Sequence, residues 1–430
     1  MKKVLIIAYS FPPVGGAGVQ RPLKFVKYLR EFGWEPLVLT VDNPSVPIVD
    51  RTLFDDIPEG VKIFRARSCE PSYAKKASFS EVKSTSFGSI QRRMFKNLVS
   101  YIFLPDFQVL WWPHYFKELM SIAKNEKIDC IFVTAPPFSA FIPAVFIGSL
   151  YKIPVILDYR DEWAFSRNQL ENTNKSTWAK FYDKIFENYA LKKCVGITAV
   201  NASYIAGLMG AYPVVATKRT RVITNGYDEA DFAQYLKTFS TEVPNGPIRI
   251  IYSGTVWQAT SLKNIILAFS ALVREGVTPK FVLDIYGRVV DQEMSYLVTD
   301  DVSKFITLHG YVEHSAVVRH LHEADVLLIS LSSLPGAEKI ITGKVFEYMA
   351  TGKHILAVVP EGETQFIVQN DYDNATIADP INIEEIKEKM RMIMDGIGGI
   401  RMKKGCCSDK YLRINLTREL ASLFNELVCN

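Results

Sequence analysis

Short apolar runs that indicate buried parallel strands alternate with helix-like segments along the whole sequence. This alternation constrains the fold more than any other feature, because it is typical of an α/β chain with a parallel sheet. The runs that predict strands are KVLIIAY, PLVLTVD, CIFVTA, IPVILDY, GITAV and RVITNGY in the first half, and IRIIYSG, FVLDIYG, FITLHGY, DVLLISL and HILAVVP in the second. The α/β pattern occurs twice, which predicts two domains.

A polar, turn-rich stretch, STEVPNGP at residues 240–247, separates the two halves. The chain has 430 residues, and at roughly 150 residues per domain this length allows two or three domains. We therefore place a first domain at residues 1–238 and a second domain at residues 239–409.

A glycine cluster lies between the first predicted strand and the helix that follows it. Gly15, Gly16 and Gly18 precede that helix, whose first N–H groups and positive dipole end suit an anion such as a phosphate. Gly16 and Gly18, with Asp42 after the second strand, would also suit a dinucleotide-binding fold. Arg21 replaces the third glycine of that fingerprint and the loop is longer than usual, and both details are evidence against a dinucleotide-binding fold. A structural turn is the remaining alternative.

Charge and cysteine content limit the function classes. Fifty basic against 46 acidic residues give a net charge of +4, too evenly spread to predict nucleic-acid binding. The six cysteines form no C-x-x-C pair and no zinc spacing. The N-terminal apolar run, about seven residues, is short for a secretory leader. We therefore expect a reduced, cytoplasmic protein.

Residues 130–151 carry no charge and are nominally long enough to span a bilayer. Three prolines interrupt the segment, and Pro136 with Pro137 ends the strand-like part. We therefore predict the strand CIFVTA followed by a buried helix rather than a transmembrane span.

Charged residues follow a buried strand at DYRDEW, residues 158–163. Ligands bind beyond the carboxyl ends of strands in open parallel sheets, so Arg160 and Asp161 are candidates to meet a hydroxylated or anionic substrate. The alternative is an ordinary surface pair between an arginine and an aspartate.

Two lysines of the second half lie in the first turn of predicted helices. Lys263 opens one helix, and Lys344 follows Thr342, a candidate N-cap, in another. A lysine opposes the helix dipole there, and a bound phosphate would resolve the conflict. Glu347 lies on the same face as Lys344 and could accept from ribose hydroxyls. A solvated lysine is the alternative for each.

Metal-binding and nucleophile motifs are absent from the sequence. It has no Walker A motif, no G-x-S-x-G and no H-E-x-x-H, and His320 and His322 would face different sides of a helix. We therefore expect neither a metal nor another cofactor.

The motifs together resemble glycosyltransferase family 4, a group of GT-B enzymes, especially members that act on bacterial cell-surface polysaccharides. The resemblance covers nearly the whole chain and is carried by FPPVGGAGVQR, PDFQVLWWP, TAPPFSA, VILDYRDEWA, VITNGYDEADF, IYSGT, LHGYV, ADVLLISL and GKVFEYMATGKHILAV. It implies two doubly wound Rossmann-like domains that face each other across a cleft, with the acceptor on the first and the nucleotide sugar on the second. It also implies a retaining, metal-independent reaction and a C-terminal helix, residues 410–430, that packs back on the first domain.

The resemblance also implies site residues. Candidate donor-binding residues are Gly15, Gly16, Ser253, Gly254, Thr255, Lys263, Gly287, Arg288, Tyr311, Val312, Lys344 and Glu347, and candidate catalytic residues are Arg160, Asp161, Lys263 and Glu338. The first glutamate of the family's E-x7-E pair is replaced by Lys339, with Glu338 one place earlier. The arginine that often follows the first strand of the second domain is not evident, which leaves Lys263 as the cation for the diphosphate.

The predicted function is sugar transfer from a nucleoside-diphosphate sugar to a hydroxyl of a saccharide or lipid-linked saccharide acceptor, in cell-envelope polysaccharide synthesis. The alternatives are a GT-B sugar-nucleotide epimerase, a dinucleotide-dependent oxidoreductase and a non-catalytic carbohydrate-binding protein.

Residues 90–112 mix basic and aromatic side chains. We expect them to bring the first domain to the inner face of the cell membrane, with Arg92, Arg93 and Lys96 beside anionic lipid. Any of the aromatic residues that are exposed are expected to enter the interfacial zone: Phe95, Tyr101, Phe103, Trp111 and Trp112. The alternative is that the aromatic side chains fill the core.

Overall fold

The computed structural model describes residues 1–73, 75, 103–166, 175–236, 246–276, 281–298, 302–397, 399 and 405–428. The chain forms two compact units, residues 1–224 with 414–430 and residues 225–413. The predicted boundary between residues 238 and 239 lies outside the described residues and stays a prediction.

One parallel sheet organises the first unit. Its described strands, seven in number, are β1 (Lys2–Ile7), β2 (Trp34–Val41), β3 (Lys62–Ala66), β4 (Cys130–Ala135), β5 (Val155–Tyr159), β6 (Gly196–Ala199) and β7 (Arg219–Val222). The spatial order is β3-β2-β1-β4-β5-β6-β7, and every neighbouring pair is parallel. The order reverses between β1 and β4, which is the switch point of a doubly wound sheet.

Helices cover both faces of this sheet. They are α1 (Ala17–Tyr28), α2 (Trp112–Asn125), α3 (Phe141–Tyr151), α4 (Thr177–Lys193) and α5 (Ala202–Ala211). Buried Val19, Leu23 and Val26 of α1 pack on one face, at the helical spacing expected for a stripe that faces the core. Helices α2 to α5 contribute to the apolar core on the other face.

A second parallel sheet organises the second unit. Its described strands, six in number, are β8 (Ile248–Ser253), β9 (Phe281–Tyr286), β10 (Ile306–Gly310), β11 (Val326–Ser330), β12 (His354–Val358) and β13 (Ala375–Ala378). Their order is β10-β9-β8-β11-β12-β13, again doubly wound. The helices are α6 (Glu229–Leu236), α7 (Lys263–Arg274), α8 (Asp291–Leu297), α9 (His314–Glu323), α10 (Gly343–Thr351), α11 (Glu363–Asp371) and α12 (Ile383–Asp395).

The last helix, α13 (Arg413–Val428), packs on the first unit. Leu420 and Phe424 are buried there, and the rings of Phe424 and Trp34 lie 5.2 Å apart. The Trp34 indole N–H donates to the Asn425 side-chain oxygen at 3.2 Å.

The structure confirms the predicted fold class of two doubly wound Rossmann-like units, and a described strand overlaps each of the predicted runs. Sequence reasoning missed β3 and β13, which lie at sheet edges. The uncharged segment forms β4 and α3, as expected. Among the residues that the structure describes, no helix combines the length and the apolar character that a membrane span requires.

The aromatic part of the membrane prediction is wrong for Trp111. Its side chain is fully buried, stacks on Tyr115 with ring centres 4.2 Å apart, and donates from Nε1 to the Ala66 carbonyl at 2.9 Å. Trp112 is partly buried and donates to the Ser139 carbonyl at 2.8 Å. Core packing explains both side chains. The basic residues Arg92, Arg93 and Lys96, with Phe95 and Tyr101, lie outside the described residues.

Candidate functional site

Two glycines bring neighbouring backbone segments together at the carboxyl edge of the second sheet. Gly254 follows β8 with φ of +127° and Gly287 follows β9 with φ of +138°. The Gly254 N–H donates to the Tyr286 carbonyl at 2.6 Å, and the Gly287 N–H donates to the Gly310 carbonyl at 2.6 Å. A Cβ on Gly287 would lie 2.2 Å from the Gly254 oxygen. Only glycine fits this approach without strain.

Lys344, in the first turn of α10, reaches over Gly254. A Cβ on Gly254 would lie 2.4 Å from both Cε and Nζ of Lys344. The ammonium donates to the Tyr252 hydroxyl at 2.9 Å and lies 4.0 Å from the centre of that ring. Within the described part of the chain, Lys344 forms no ion pair. Burial lowers the pKa of Lys344 to about 8, as expected for a desolvated cation.

Two tyrosines hold the segment that follows β8. The Tyr252 hydroxyl donates to the Thr255 carbonyl at 2.9 Å, and the Tyr348 hydroxyl accepts from the Ser253 N–H at 2.9 Å. Ser253, Gly254 and Thr255 are therefore fixed from both sides. Burial raises the pKa of Tyr252, so its phenol is neutral and does not offset the charge of Lys344.

Glu347 lies one turn after Lys344 on α10. Its Oε1 is 3.2 Å from Nε2 of His314, the first residue of α9. His314 therefore orients the carboxylate that was predicted to bind ribose. Tyr311, exposed, and Val312, partly buried, lie in the loop between β10 and α9.

The remaining cations of this edge are exposed. Lys263 is the first residue of α7, and Arg288 follows Gly287. Thr255 is exposed as well. The structure brings Lys344, Gly254 and Gly287 together, whereas the Lys263 side chain makes no hydrogen bond to them within the described residues.

The hydroxyl of Thr342 does not cap α10. Thr342 occupies the N-cap position, but its side chain accepts no hydrogen bond from the helix. Its Oγ1 is buried and has no hydrogen-bond partner among the described residues. The first N–H groups of α10 are therefore not satisfied by this hydroxyl.

Glu338 lies in the short turn Ala337–Lys339 and is exposed. Its Oε2 accepts from the Gly336 N–H at 2.9 Å. A Cβ on Gly362 would lie 2.1 Å from the Glu338 carbonyl oxygen, so the backbone of this turn is closely packed. The carboxylate is accessible, and its catalytic role stays a prediction.

In the first unit, Gly16 occupies the N-cap position of α1 with φ of +95°, and the Gly15 N–H donates to the Ile48 carbonyl at 3.1 Å. Arg160 donates to three backbone carbonyls: Ala135 at 3.1 Å, Pro136 at 2.7 Å, and Gly18. The guanidinium therefore connects the start of α1 to the end of β4 and the loop that follows it through hydrogen bonds. Asp161, next along the chain, is exposed.

A buried ion pair lies beneath this corner. Arg21 donates to both carboxylate oxygens of Asp158, at 3.0 Å and 2.7 Å, and Thr134 and Thr198 donate to the same carboxylate at 2.7 Å and 2.6 Å. Burial alone would raise the pKa of Asp158, but Arg21 and the two hydroxyls hold it below its usual value. Arg21 thus has a structural role where a dinucleotide fingerprint would have glycine.

Sequence reasoning did not single out Tyr252 or His314. Tyr252 lies inside the strand β8, where its apolar ring is expected in the core. The sequence therefore does not indicate that its hydroxyl accepts a hydrogen bond from Lys344. His314 opens a helix far from Glu347 in sequence, and only the fold brings the two side chains together.

A known protein family matches most of the second unit. Residues 234–397 match the family described as "Glycosyl transferases group 1". The matched range contains Gly254, Gly287, Lys344 and Glu347. No curated protein matches the chain by sequence.

Solved structures share the fold over the whole chain. The Anabaena protein HepE in complex with UDP and glucose is 13% identical, with a TM-score of 0.62 over 99% of this chain and 100% of that one. Sucrose-phosphate synthase from Thermosynechococcus elongatus is 12% identical, with a TM-score of 0.60 over 100% and 96%. UDP-GlcNAc 2-epimerase from Methanocaldococcus jannaschii is 12% identical, with a TM-score of 0.54 over 99% and 100%. The chain therefore has the GT-B fold.

Proposed function

We propose that the protein is a glycosyltransferase that moves a sugar from a nucleoside-diphosphate sugar to a hydroxyl of a saccharide or lipid-linked saccharide. The observation that carries this proposal is the ammonium of Lys344. It lies over Gly254 at the carboxyl edge of the second sheet, without a carboxylate in an ion pair among the described residues. The group 1 family match over residues 234–397 supports the same reaction class.

The diphosphate of the donor would bind between Lys344 and the glycine backbone. A phosphate oxygen can approach Gly254 because no side chain projects there, and the first N–H groups of α10 add positive potential. Lys263, at the start of α7, is the second candidate cation. The UDP that accompanies HepE in its solved complex supports a diphosphate ligand for this fold.

The ribose would bind at Glu347. A carboxylate can accept from two neighbouring hydroxyls, and His314, 3.2 Å away, keeps Glu347 in a fixed orientation. Gly287, Arg288, Tyr311 and Val312 belong to adjacent loops of the same edge and would complete the donor pocket.

Catalysis would depend on stabilising the leaving diphosphate. As the glycosidic bond lengthens, negative charge grows on the phosphate oxygen, and the ammonium groups with the helix N-termini stabilise that charge. We propose a retaining front-face route in which the leaving phosphate helps to deprotonate the acceptor hydroxyl. Glu338 is the candidate contact to the donor sugar. No metal takes part in this scheme, so activity is expected to survive EDTA.

The acceptor would bind to the first unit. Asp161 offers an accessible carboxylate that can orient sugar hydroxyls. Arg160 would act by holding this corner together, because its guanidinium already donates to three carbonyls. We place the reaction in cell-envelope polysaccharide synthesis, in the cytoplasm or at the inner face of the membrane.

A sugar-nucleotide epimerase is the second candidate, because UDP-GlcNAc 2-epimerase shares the fold and would use the same donor site. Product analysis separates the two functions. An epimerase converts the nucleotide sugar with no acceptor present, whereas a transferase leaves it intact until a saccharide acceptor is added.

A thermal-shift panel of UDP, GDP, ADP and NAD tests the proposal first. A ligand at a hundred times its dissociation constant stabilises the folded protein by about 2.7 kcal/mol. We expect one nucleoside diphosphate to stabilise the wild-type protein and to lose most of that effect in Lys344→Ala. Stabilisation by NAD alone would overturn the proposal in favour of an oxidoreductase. Stabilisation by free saccharides but by no nucleotide would favour a carbohydrate-binding protein.

A further inference from the structure

The outward side of α4 carries an unusual row of large apolar side chains. Trp178, Phe181, Tyr182 and Ile185 are 62%, 55%, 43% and 46% exposed. Their spacing of three and four residues places them on one side of the helix. Exposed apolar residues are normally scattered singly, so a continuous row indicates a surface that meets something apolar.

The acidic residues of α4 point the other way. Asp183 and Glu187 are fully buried. Lys175 lies 2.8 Å from the Asp183 carboxylate, and the Tyr212 hydroxyl donates to Glu187 at 2.8 Å. Over α4, which is described along its whole length, the charged side chains that reach solvent are therefore all lysines: Lys180, Lys184, Lys192 and Lys193.

The neighbouring helix also exposes large apolar side chains. Helix α3 packs against α4 and contains no charged residue. Its Phe146 and Leu150 are 47% and 59% exposed. A cavity of about 320 Å³ lies at the N-terminal part of α4, and its wall contains Lys180, Phe181 and Lys184 together with the buried acid Asp183. Exposed apolar side chains and lysines therefore occur together on α4.

We propose that α4 binds an anionic lipid surface through a lysine–aromatic face, defined as Trp178, Phe181, Tyr182 and Ile185 with Lys184, Lys192 and Lys193. Tryptophan and tyrosine favour the membrane–water interface. A helix with one apolar side and lysines around it lies in that interface with its apolar side immersed. The lysines complement the negative charge of the lipid headgroups.

A second copy of the chain is a poorer occupant of this face. Two symmetric copies would bring the same lysines together, and α4 presents no solvent-exposed acid that could neutralise them. An anionic leaflet offers both an apolar interior and the opposite charge.

The proposal stands on α4 and α3 of the first unit and does not depend on the proposed transferase activity. The residues that it uses are also different from residues 90–112. Binding of a nucleoside diphosphate, which would take place in the second unit, can be measured on the same samples, so failure of one proposal is distinguishable from failure of the other.

Vesicle flotation of the full chain tests the face, with vesicles of phosphatidylcholine alone or mixed with phosphatidylglycerol, at low and high salt. The first variant is Trp178→Ser with Phe181→Ser, and the second is Lys184→Glu with Lys192→Glu. Matched controls in the second unit are Phe366→Ser, at a side chain 61% exposed, and Lys304→Glu, at an exposed lysine. Thermal unfolding verifies that each variant is folded.

We expect the wild-type chain to float with phosphatidylglycerol vesicles at low salt and to bind much less at high salt. A lysine beside an anionic leaflet contributes about five-fold to partitioning, so losing two should lower partitioning by at least ~25-fold. The serine variant should also lose binding, and both control variants should bind like wild type. The proposal is overturned if the wild-type chain ignores anionic vesicles, if the controls lose as much as the α4 variants, or if α4 substitutions abolish a dimer but leave vesicle binding unchanged.

Discussion

The ammonium of Lys344 is held by a neutral phenol. Its Nζ lies 2.9 Å from the Tyr252 hydroxyl oxygen and 4.0 Å from the centre of the Tyr252 ring. Both contacts orient the cation, and neither cancels its charge, because burial raises the pKa of Tyr252 and keeps the phenol protonated. This arrangement pre-positions a positive charge for an anionic ligand and leaves its charge available for binding.

Lys344→Met should separate ligand binding from stability. Removing the ammonium should weaken nucleoside diphosphate binding by about 10- to 100-fold, the range for a charged hydrogen bond. The unliganded variant should be as stable as wild type or more stable near neutral pH, since methionine carries no desolvation penalty. Calorimetric titration and denaturant unfolding measure the two effects. Lys304→Met, at an exposed lysine, is the control, and equal losses of affinity in both variants would contradict the role of Lys344.

The pKa of Lys344, about 8, predicts how binding varies with pH. A diphosphate prefers the protonated lysine, so affinity should fall as pH rises above about 8, by up to tenfold per pH unit. The dependence should vanish in Lys344→Met. Titrations with the nucleoside diphosphate between pH 7 and pH 10 measure this slope, and the same slope in both proteins would assign it to another group.

The free energy of unfolding should rise with pH, whereas the affinity for the diphosphate should fall. The folded pKa of Lys344, about 8, is below the ordinary lysine value of 10.5, so between these values the unfolded chain binds a proton that the folded chain lacks. The free energy of unfolding of wild type, relative to Lys344→Met, should therefore rise over this window by up to about 1.4 kcal/mol per pH unit. Denaturant unfolding of both proteins measures the difference, and a flat difference would show that Lys344 titrates at its ordinary pKa.

Gly254→Ala tests the close approach beneath Lys344. The new Cβ would lie 2.4 Å from Cε and Nζ of the lysine, at a φ of +127°. Backbone strain alone should cost about 1–3 kcal/mol of folding free energy, and displacement of the ammonium should weaken nucleotide binding. Gly246→Ala is the matched control, because its Cβ would meet no atom within 4 Å. Unchanged nucleotide affinity in a folded Gly254→Ala protein would remove Gly254 from the donor site.

Glu347→Gln tests the ribose contact. The carboxylate should bind ribose hydroxyls more strongly than an amide does, so the variant should lose about tenfold in affinity for the nucleoside diphosphate. Its affinity for the 2′,3′-dideoxy analogue should change little, since that ligand lacks the hydroxyls. Glu361→Gln, at an exposed glutamate, is the control. Equal losses for both ligands in Glu347→Gln would indicate that Glu347 acts elsewhere.

The sequence predicts the sheets better at their centres than at their edges. Central strands such as β4 are buried on both faces and appear as continuous apolar runs. The missed edge strands differ: β3 has the sequence KIFRA with one fully buried residue, and β13 is the short segment ATIA. Edge strands need fewer apolar side chains, so their composition does not distinguish them from loops.

The candidate site was predictable where local geometry decides it. Lys344 was a candidate because it lies in the first turn of a helix, and Gly254 and Gly287 were candidates because they directly follow strands. Contacts between distant segments were not predictable. The carbonyl partners of Arg160 lie on two other segments, so its sequence neighbours could indicate only a charged rim residue.

Arg21→Met should test the buried ion pair that replaces the dinucleotide fingerprint. Arg21 and Asp158 are 1% and 0% exposed, and removing one partner of such a pair typically costs about 3–5 kcal/mol because the other charge stays buried. The folded pKa of Asp158 is depressed, so the stability it contributes is present above the ordinary aspartate pKa of 3.8 and is lost as pH falls through the folded value. The difference between wild type and Arg21→Met in denaturant unfolding should therefore be large at neutral pH and shrink below about pH 4.

Lys62→Met is the control, because Lys62 is 61% exposed in its pair with Glu126. Losing this exposed pair should lower the free energy of unfolding by less than about 1 kcal/mol. Similar small losses in both variants, without pH dependence, would show that Arg21 serves the fold only through its packing.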